Sequence, residues 1–424
     1  MKYSFATIFS LLIAAVVFTA PSNLFFVLNE NVGYANGMRV DYLMPKMYLS
    51  DIFILLTIAS VLLKNRYSFS VKKILRSNLK ILVTLGLLFL CSLIFSTHRI
   101  AALYGIVKIL EFSLFTYGIW NLKHLINKKI ILIAIATALS IQTTVALLQF
   151  WLQHSVTPYW LFGETQYSSS SFAIARATLF AQEKILAYGT TAHPNVLAGT
   201  VVLFSLLAAQ LQKTVRVPLL LNVLVILFLT QSLSALLALL IAISVLVFEK
   251  YVHNKVQVKK NIFILGLTLF ISVPLVNWLA TMFMTNNFSV FRRHELNFSA
   301  LKMFMSHPLI GVGIGNFTAN LEKYLGNKEL VRFIQPAHHV GVLWLAETGL
   351  LGTSLIIQLL LQLKKYVAQI SLLTLTILPI ISLDHYTVTI QTGTISVLLF
   401  LVFIHQDSFA KKVSKIISWP VRKF

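Results

Sequence analysis

The sequence predicts an all-α polytopic membrane protein of about twelve transmembrane helices with two large extracytoplasmic loops. Three observations predict it. Of 424 residues, 57% are hydrophobic and 11% charged, against about one quarter charged in soluble domains. With mean hydropathy at +0.82, the polar residues are too few to coat a globule, so lipid must solvate much of the surface. The apolar residues also fall in runs near the ~20 residues a helix needs to cross a bilayer. Finally, the basic residues behind the net charge of +22 sit in short runs between those segments. A nucleic-acid binder gathers its charge on a soluble fold; this arrangement is the positive-inside pattern instead, and no nucleic-acid partner is expected.

Apolar runs read against their breaks place spans near 4–20, 47–63, 80–97, 100–120, 130–151, 193–211, 218–231, 232–248, 262–283, 338–363, 368–383 and 387–405. Lys2 followed by an apolar run to Ala20 also fits a signal peptide, but the spans downstream favour an uncleaved first helix. The stretch 218–248 is too long for one crossing, and Gln231-Ser232-Leu233-Ser234 breaks it into two short helices. The whole chain, 1–424, reads as one integral-membrane domain. Its single Cys91 lies in an apolar stretch, so neither a disulfide framework nor a thiolate metal site is available.

An even number of crossings puts both termini on one side. That side collects about two thirds of the 35 Lys and Arg, in 64–80, 123–129, 250–260 and 411–423 above all. The other side carries the longer loops at lower positive density, so both termini are expected in the cytoplasm. Its two large loops cover about 152–192 and 284–337. The second holds an interfacial helix over 290–307, with Leu296, Ala300, Leu301 and Phe304 opposite Arg292, Arg293 and Glu295.

This topology carries five polar clusters to the extracytoplasmic helix ends: Asp51, His193-Pro194-Asn195, Gln231 to Ser234, the 292–338 loop, and Asp384-His385-Tyr386. Singly each is ordinary loop polarity; together they suggest a site. The sharpest segment is Gln335-Pro336-Ala337-His338-His339, with Pro336 just ahead of a helix start. A helix N-terminus disfavours imidazolium, leaving His338 neutral and able to accept a proton, or simply capping and packing. Glu347, nine residues on, falls on the opposite face about 13 Å deeper, which suits a structural carboxylate better than a partner for His338. Arg292, Arg293 and Arg332 offer bidentate phosphate contacts, or merely meet lipid headgroups. Lys108 and Glu111, spaced i, i+3, read as a structural ion pair. The glycines of 308–317 read as a tight backbone turn, lacking the strand-to-helix context of a nucleotide loop. The scattered histidines show no metal-ligand spacing, and no metal or cofactor is expected.

Four segments together resemble the O-antigen ligase / O-antigen polymerase family. They are PLIGVGIGNF (308–317), PAHHVGVLWLAETGLLG (336–352), YGTTAHPNVLAG (188–199) and DHYTVTIQTG (384–393), in the family's order. The resemblance implies a metal-independent glycosyltransferase on the outer face of the plasma membrane. Such an enzyme moves a glycan from an undecaprenyl-diphosphate carrier to an acceptor hydroxyl, generally with inversion. The acceptor is a glycan, a lipid or a protein, with membrane lipid around the site. By position, His338 matches the family's essential histidine, as general base or acceptor-orienting group, and Arg293 matches an arginine thought to engage the diphosphate. Arg292 and Arg332 would add to that contact. His193, Asn195, Glu347, Asp384 and Tyr386 would support the site. Leu233 and Leu186 stand where family members often carry arginines, and His339 where Asn is common. Arg176, Lys184, Arg292 or Arg332 are candidates to replace the missing charge.

Two other functions remain open on sequence. A polysaccharide-lipid transporter or flippase would need broken helices and polar residues at mid-membrane, where these spans are mostly apolar. A catalytically eroded assembly partner would keep the fold and lose the arginines. Donor sugar, acceptor and oligomeric state are not written in the sequence, nor is the choice between ligase, polymerase and protein glycosylation.

Overall fold

A computed structural model of the chain describes residues 4–64, 71–172, 174–179, 181–252, 256–283, 288–326, 334–363 and 370–405. It is helical, built from α1 (Phe5–Thr19), α2 (Leu49–Lys64), α3 (Val71–Phe95), α4 (Arg99–Leu122) and α5 (Lys128–Leu152). After the short α6 (Tyr159–Phe162) come α7 (Pro194–Leu211), α8 (Arg216–Thr230), α9 (Leu233–Val252), α10 (Val256–Phe283) and α11 (Phe288–Ser306). Then follow α12 (Phe317–Tyr324), α13 (Val340–Leu363), α14 (Ile377–Leu383), α15 (Tyr386–Thr389) and α16 (Gln391–Ile404).

Among the described residues, six helices are long and apolar enough to cross a bilayer, and five shorter apolar helices accompany them. Their outer faces fit a lipid solvent. On α10, Leu265, Leu269 and Ile271 are each more than half exposed, a patch that water would not tolerate. Opposite in character is α7, which is buried nearly all round and forms the centre of the largest core cluster with α5, α8, α9 and α16. An element hydrophobic on every side belongs in the interior.

Three departures from straight helices place the functional side chains. Residues 216–252 form two helices, as the sequence suggested, because Gln231 turns left-handed (φ 49°) after α8. α11 forms where the sequence reading set a helix over 290–307, and it lays Leu296 and Ala300 into a second core cluster against α13.

α13 corrects the sequence reading, which drew 338–363 as one continuous helix. Gly349 breaks it with φ 57° and ψ −154°, a region open essentially to glycine alone. The 308–313 segment takes over the backbone groups freed there. Leu350 N–H donates to Pro308 O (2.8 Å) and Leu351 N–H to Leu309 O (3.0 Å). In return, Val312 N–H reaches Ala346 O and Gly313 N–H reaches Glu347 O, both at 2.9 Å. The glycine-rich run is thus a backbone turn, as read from sequence, with Gly311, Gly313 and Gly315 all at positive φ.

The all-α expectation also misses three short ribbons. β1 (Phe25–Val27) pairs with β4 (Lys46–Tyr48), β2 (Tyr34–Ala35) with β3 (Met38–Arg39), and β5 (Arg176–Leu179) with β6 (Gln182–Ile185), each antiparallel. The first two ribbons make an ordered cap from the α1–α2 connection. Asn36 (φ 50°) and Gly37 (φ 79°) turn its tip, the Asn-Gly signature of a tight hairpin. Asn36 Nδ2 donates to Glu322 Oε2 on α12 (2.5 Å).

Gly349→Ala should lower stability by about 2 kcal/mol or more, since an added Cβ would meet Gly311 N at 2.7 Å besides the backbone strain. Gly86→Ala, with nothing within 4 Å, should be neutral or slightly stabilising. Thermal unfolding of the detergent-purified protein checks both, and equal melting of the two variants would contradict the role given to Gly349.

Candidate active site

A cavity of about 1400 Å³ runs along α4 from Ala101 to Trp120, and all five polar clusters border it or bond directly to its walls. Its central charge is Asp384, in the link between α14 and α15. A buried carboxylate needs donors to stay ionised. Asn195 Nδ2, from the first turn of α7, donates to Oδ1 at 2.9 Å. Ser234 Oγ, from the first turn of α9, donates to Oδ2 at 2.5 Å. His338 Nδ1 lies 3.7 Å from Oδ1, outside hydrogen-bond range. Burial opposes ionisation of Asp384, yet His338, Arg293 and the Ser234 hydroxyl outweigh it and pull the carboxyl down to about 2.

The loop feeding α7 is held by two amides absent from the sequence-derived site. Gln149 Oε1 accepts from the N–H groups of Tyr188 and Gly189, and its Nε2 donates to Gly189 O and Glu164 Oε1. Gln142 repeats the arrangement on Thr190, by backbone N–H and hydroxyl. Seven residues apart, the two share one face of α5, and that amide pair was the available signal. His193 then caps α7, its Nδ1 accepting from Asn195 N–H at 3.2 Å. Its ring proton therefore sits on Nε2. Gly199 completes the fit: a Cβ there would fall 1.8 Å from the Tyr386 hydroxyl. That hydroxyl is buried with no partner among the described residues, and burial raises its pKa well above the ordinary value, so it stays protonated.

Adjacent histidines just ahead of α13 divide two tasks. His339, not His338, caps the helix: Nδ1 accepts from Val342 N–H at 3.3 Å, while its own N–H donates to Asn297 Oδ1 of α11. Its Nε2 lies 2.9 Å from Phe270 O. That carbonyl is free because Pro274, four residues on in α10, has no N–H to offer it. Every ring nitrogen of His339 is engaged, and the ring rests on Phe270 at 4.3 Å. His338 is the reverse. It is buried, lines the cavity, and neither ring nitrogen has a hydrogen-bond partner among the described residues. Burial lowers its pKa below 6.5, with Asp384 pushing the other way and Arg293 and Arg292 adding to the fall. His338 is therefore neutral at neutral pH. The cause is chiefly desolvation, rather than the helix terminus invoked from sequence.

Arg292 and Arg293, on neighbouring positions of α11, line the same cavity. Arg293 Nε is buried without a partner among the described residues. Arg332 lies outside the described residues. Arg176 borders the cavity but is tied to Glu183 (3.2 Å) and Ser169 O. Of the positions where arginine was expected, Leu186 is buried at the cavity wall and Leu233 is 57% exposed. Lys46, from the cap and missed by the sequence reading, adds a cation to the lining and sits over the Phe25 ring.

Four further residues are bonded within the bundle, Lys108 and Glu347 among them at the cavity wall. Lys108 pairs with Glu111 (2.9 Å), as its spacing suggested, and also with Asp51 (2.7 Å). Asp51 in turn accepts from Tyr48 N–H and Gln391. Glu347 is not in contact with His338; its Oε1 accepts from Phe317 N–H at the start of α12. Among the described residues no three His, Cys, Asp or Glu side chains gather as metal ligands.

The arrangement joins a neutral imidazole backed by an ionised carboxylate to a pair of guanidinium groups. It can take a proton from a hydroxyl beside a bound anion. A comparison with curated protein sequences found no match. Residues 218–357 match the family model described as O-antigen ligase. That stretch runs from α8 to α13; it contributes Arg292, Arg293 and His338 to the cavity wall and Ser234 to Asp384. The matched segment, about a third of the chain, is similar to the O-antigen ligase family.

Proposed function

We propose that the protein is an inverting glycosyltransferase moving a glycan from an undecaprenyl-diphosphate carrier to an acceptor hydroxyl, without a metal. The observation that carries this reading is His338, neutral, without a hydrogen bond among the described residues and 3.7 Å from the Asp384 carboxylate, in a cavity also lined by Arg292 and Arg293. As the acceptor oxygen attacks the anomeric carbon, His338 takes its proton. The glycosyl–phosphate bond breaks with its electron pair on the diphosphate, whose charge the guanidinium groups stabilise. Asp384 holds the imidazolium formed in that step. Asn195, His193 and Tyr386 support the same wall.

We place the site on the extracytoplasmic face of the plasma membrane, with twelve crossings and cytoplasmic termini. Supporting this are the six long and five shorter apolar helices with α2, and the excess of Lys and Arg on the opposite side. Arg292 and Lys46 offer cationic contacts where Leu186 and Leu233 offer none. One observation favours a transporter, namely the break in α13 at Gly349. The backbone groups exposed there, however, are bonded to 308–313 rather than left open for an ion.

His338→Ala should abolish transfer, by about 10²-fold or more, with the undecaprenyl-linked precursor accumulating. Wild-type surface glycan in that variant would end the catalytic reading. Asp384→Asn should reduce the rate and move the acid limb of the pH–rate profile lower. The sign follows because Asp384 raises the His338 pKa, and removing its charge leaves desolvation less opposed. An unchanged acid limb would separate the two residues. Arg293→Lys should also fail, since a bidentate contact does not survive the loss of the planar fork; wild-type behaviour would remove Arg293 from the diphosphate site.

A further inference from the structure

His385 has no part in the chemistry above, yet it shares the cavity wall with His338. The two rings meet edge to face, with centroids 5.2 Å apart. On its far side His385 packs against Tyr42 of the cap, again edge to face, at 5.5 Å. The residue is 6% exposed, and burial drives its pKa well below 6.5, so the ring is neutral.

Only one tautomer lets both Thr389 contacts be hydrogen bonds at once. Thr389 Oγ1 donates to the His385 carbonyl at 3.1 Å and lies 2.6 Å from His385 Nδ1. A hydroxyl has one proton to give. With that proton on the carbonyl, the Nδ1 contact requires the imidazole to donate, which leaves Nε2 as a lone-pair acceptor. The same reasoning applies to His338. Asp384 is ionised and can only accept, so the proton of His338 faces it from Nδ1 and Nε2 is the acceptor. Two neutral imidazoles thus stand side by side, each with an acceptor nitrogen. His193, with Nδ1 used in capping α7, is the complementary case and offers an N–H to the same cavity.

A single attacking hydroxyl satisfies only one of the two acceptors. We propose that His385 is an acceptor-recognition residue whose Nε2 accepts a hydrogen bond from the hydroxyl next to the attacking one, so that the site selects vicinal diols of a sugar ring. This rests on the reading of His338 as the base. The attacking O–H gives its proton to His338 Nε2; the neighbouring O–H keeps its proton and donates to His385 Nε2. A serine or threonine side chain has one hydroxyl and leaves the His385 acceptor buried without a partner. Sites built to hydrogen-bond a hydroxyl reject ligands lacking it. Among the acceptors that the fold class leaves open, the pair therefore favours a glycan over a protein side chain.

The test measures binding and needs no donor. Full-length protein in detergent is titrated with methyl glucoside, methyl galactoside and methyl mannoside, with their monodeoxy analogues, and with N-acetylserine methylamide, read by saturation-transfer NMR. At least one glycoside should bind about tenfold more tightly than its deoxy analogues and the serine amide, the worth of one good hydrogen bond. His385→Phe keeps the ring and removes the acceptor; Thr389→Val keeps His385 and releases its tautomer. Both should erase the preference, and unchanged melting would show that they remain folded. Thr389→Val covers the case in which His385→Phe does not fold. The proposal is overturned if wild type binds no glycoside, if it binds the serine amide as well as the glycosides, or if the preference survives in the folded variants. Its failure is distinct from that of the transferase reading. Precursor accumulation in His338→Ala with no diol preference sinks only the role of His385. A His385-dependent preference alongside wild-type glycan in His338→Ala sinks only the base.

Discussion

One buried carboxylate orders this molecule's polar chemistry. A charge taken out of water must be hydrogen-bonded and paired, or it neutralises. Asp384 meets that demand by drawing in the first turns of two helices far apart in sequence, through Asn195 and Ser234, and by facing the ring just ahead of a third. Each of those positions depends on a local device. Asn195 is placed by the His193 cap and by the two glutamines of α5, and Ser234 by the left-handed Gln231 that parts α8 from α9. The carboxylate is where these independent accidents of backbone geometry become one site.

The histidines illustrate how neighbours, rather than residue type, assign a role. His98 and His339 each cap a helix with Nδ1 and reach a backbone carbonyl with Nε2, and both are fully engaged. His193 spends one nitrogen on a cap, and His385 spends one on Thr389. His338 spends neither on a hydrogen bond among the described residues. Free capacity on a buried neutral ring is costly unless something arrives to use it, and a hydroxyl-bearing ligand answers that cost.

Much of this was legible in the sequence, for reasons that differ by feature. Span positions follow from run length and composition, which are local properties. The convergence of His193, Asn195, Asp384, Arg292, Arg293 and His338 on one cavity was expected from the topology read in the sequence. What escaped the sequence depends on pairing at long range. The cap over 21–48 announces itself only by Asn36-Gly37, and its role appears once Tyr42 meets His385 and Asn36 meets Glu322. Periodicity cannot reveal that α13 breaks at Gly349, because the compensating bonds come from residues 308–313. His339 in place of Asn looked like a loss, until Pro274 was found to leave the Phe270 carbonyl that its ring reaches.

Those breaks share a physical reason. In lipid, a continuous helix satisfies its own backbone and has nothing left with which to aim a side chain. Only where a helix stops or is interrupted are N–H and C=O groups available, and there they must be bonded. The side chains that satisfy them become rigid in the process. Gln149 is fixed by the Tyr188–Gly189 turn, His339 by the carbonyl Pro274 releases, and Glu347 by the start of α12. The cavity gathers its polar residues at such interruptions because those are the points at which a bundle otherwise made of leucine and isoleucine can hold a polar atom still. His338, set between the engaged His339 and the anchored Asp384, receives its position from that scaffold without bonding to it.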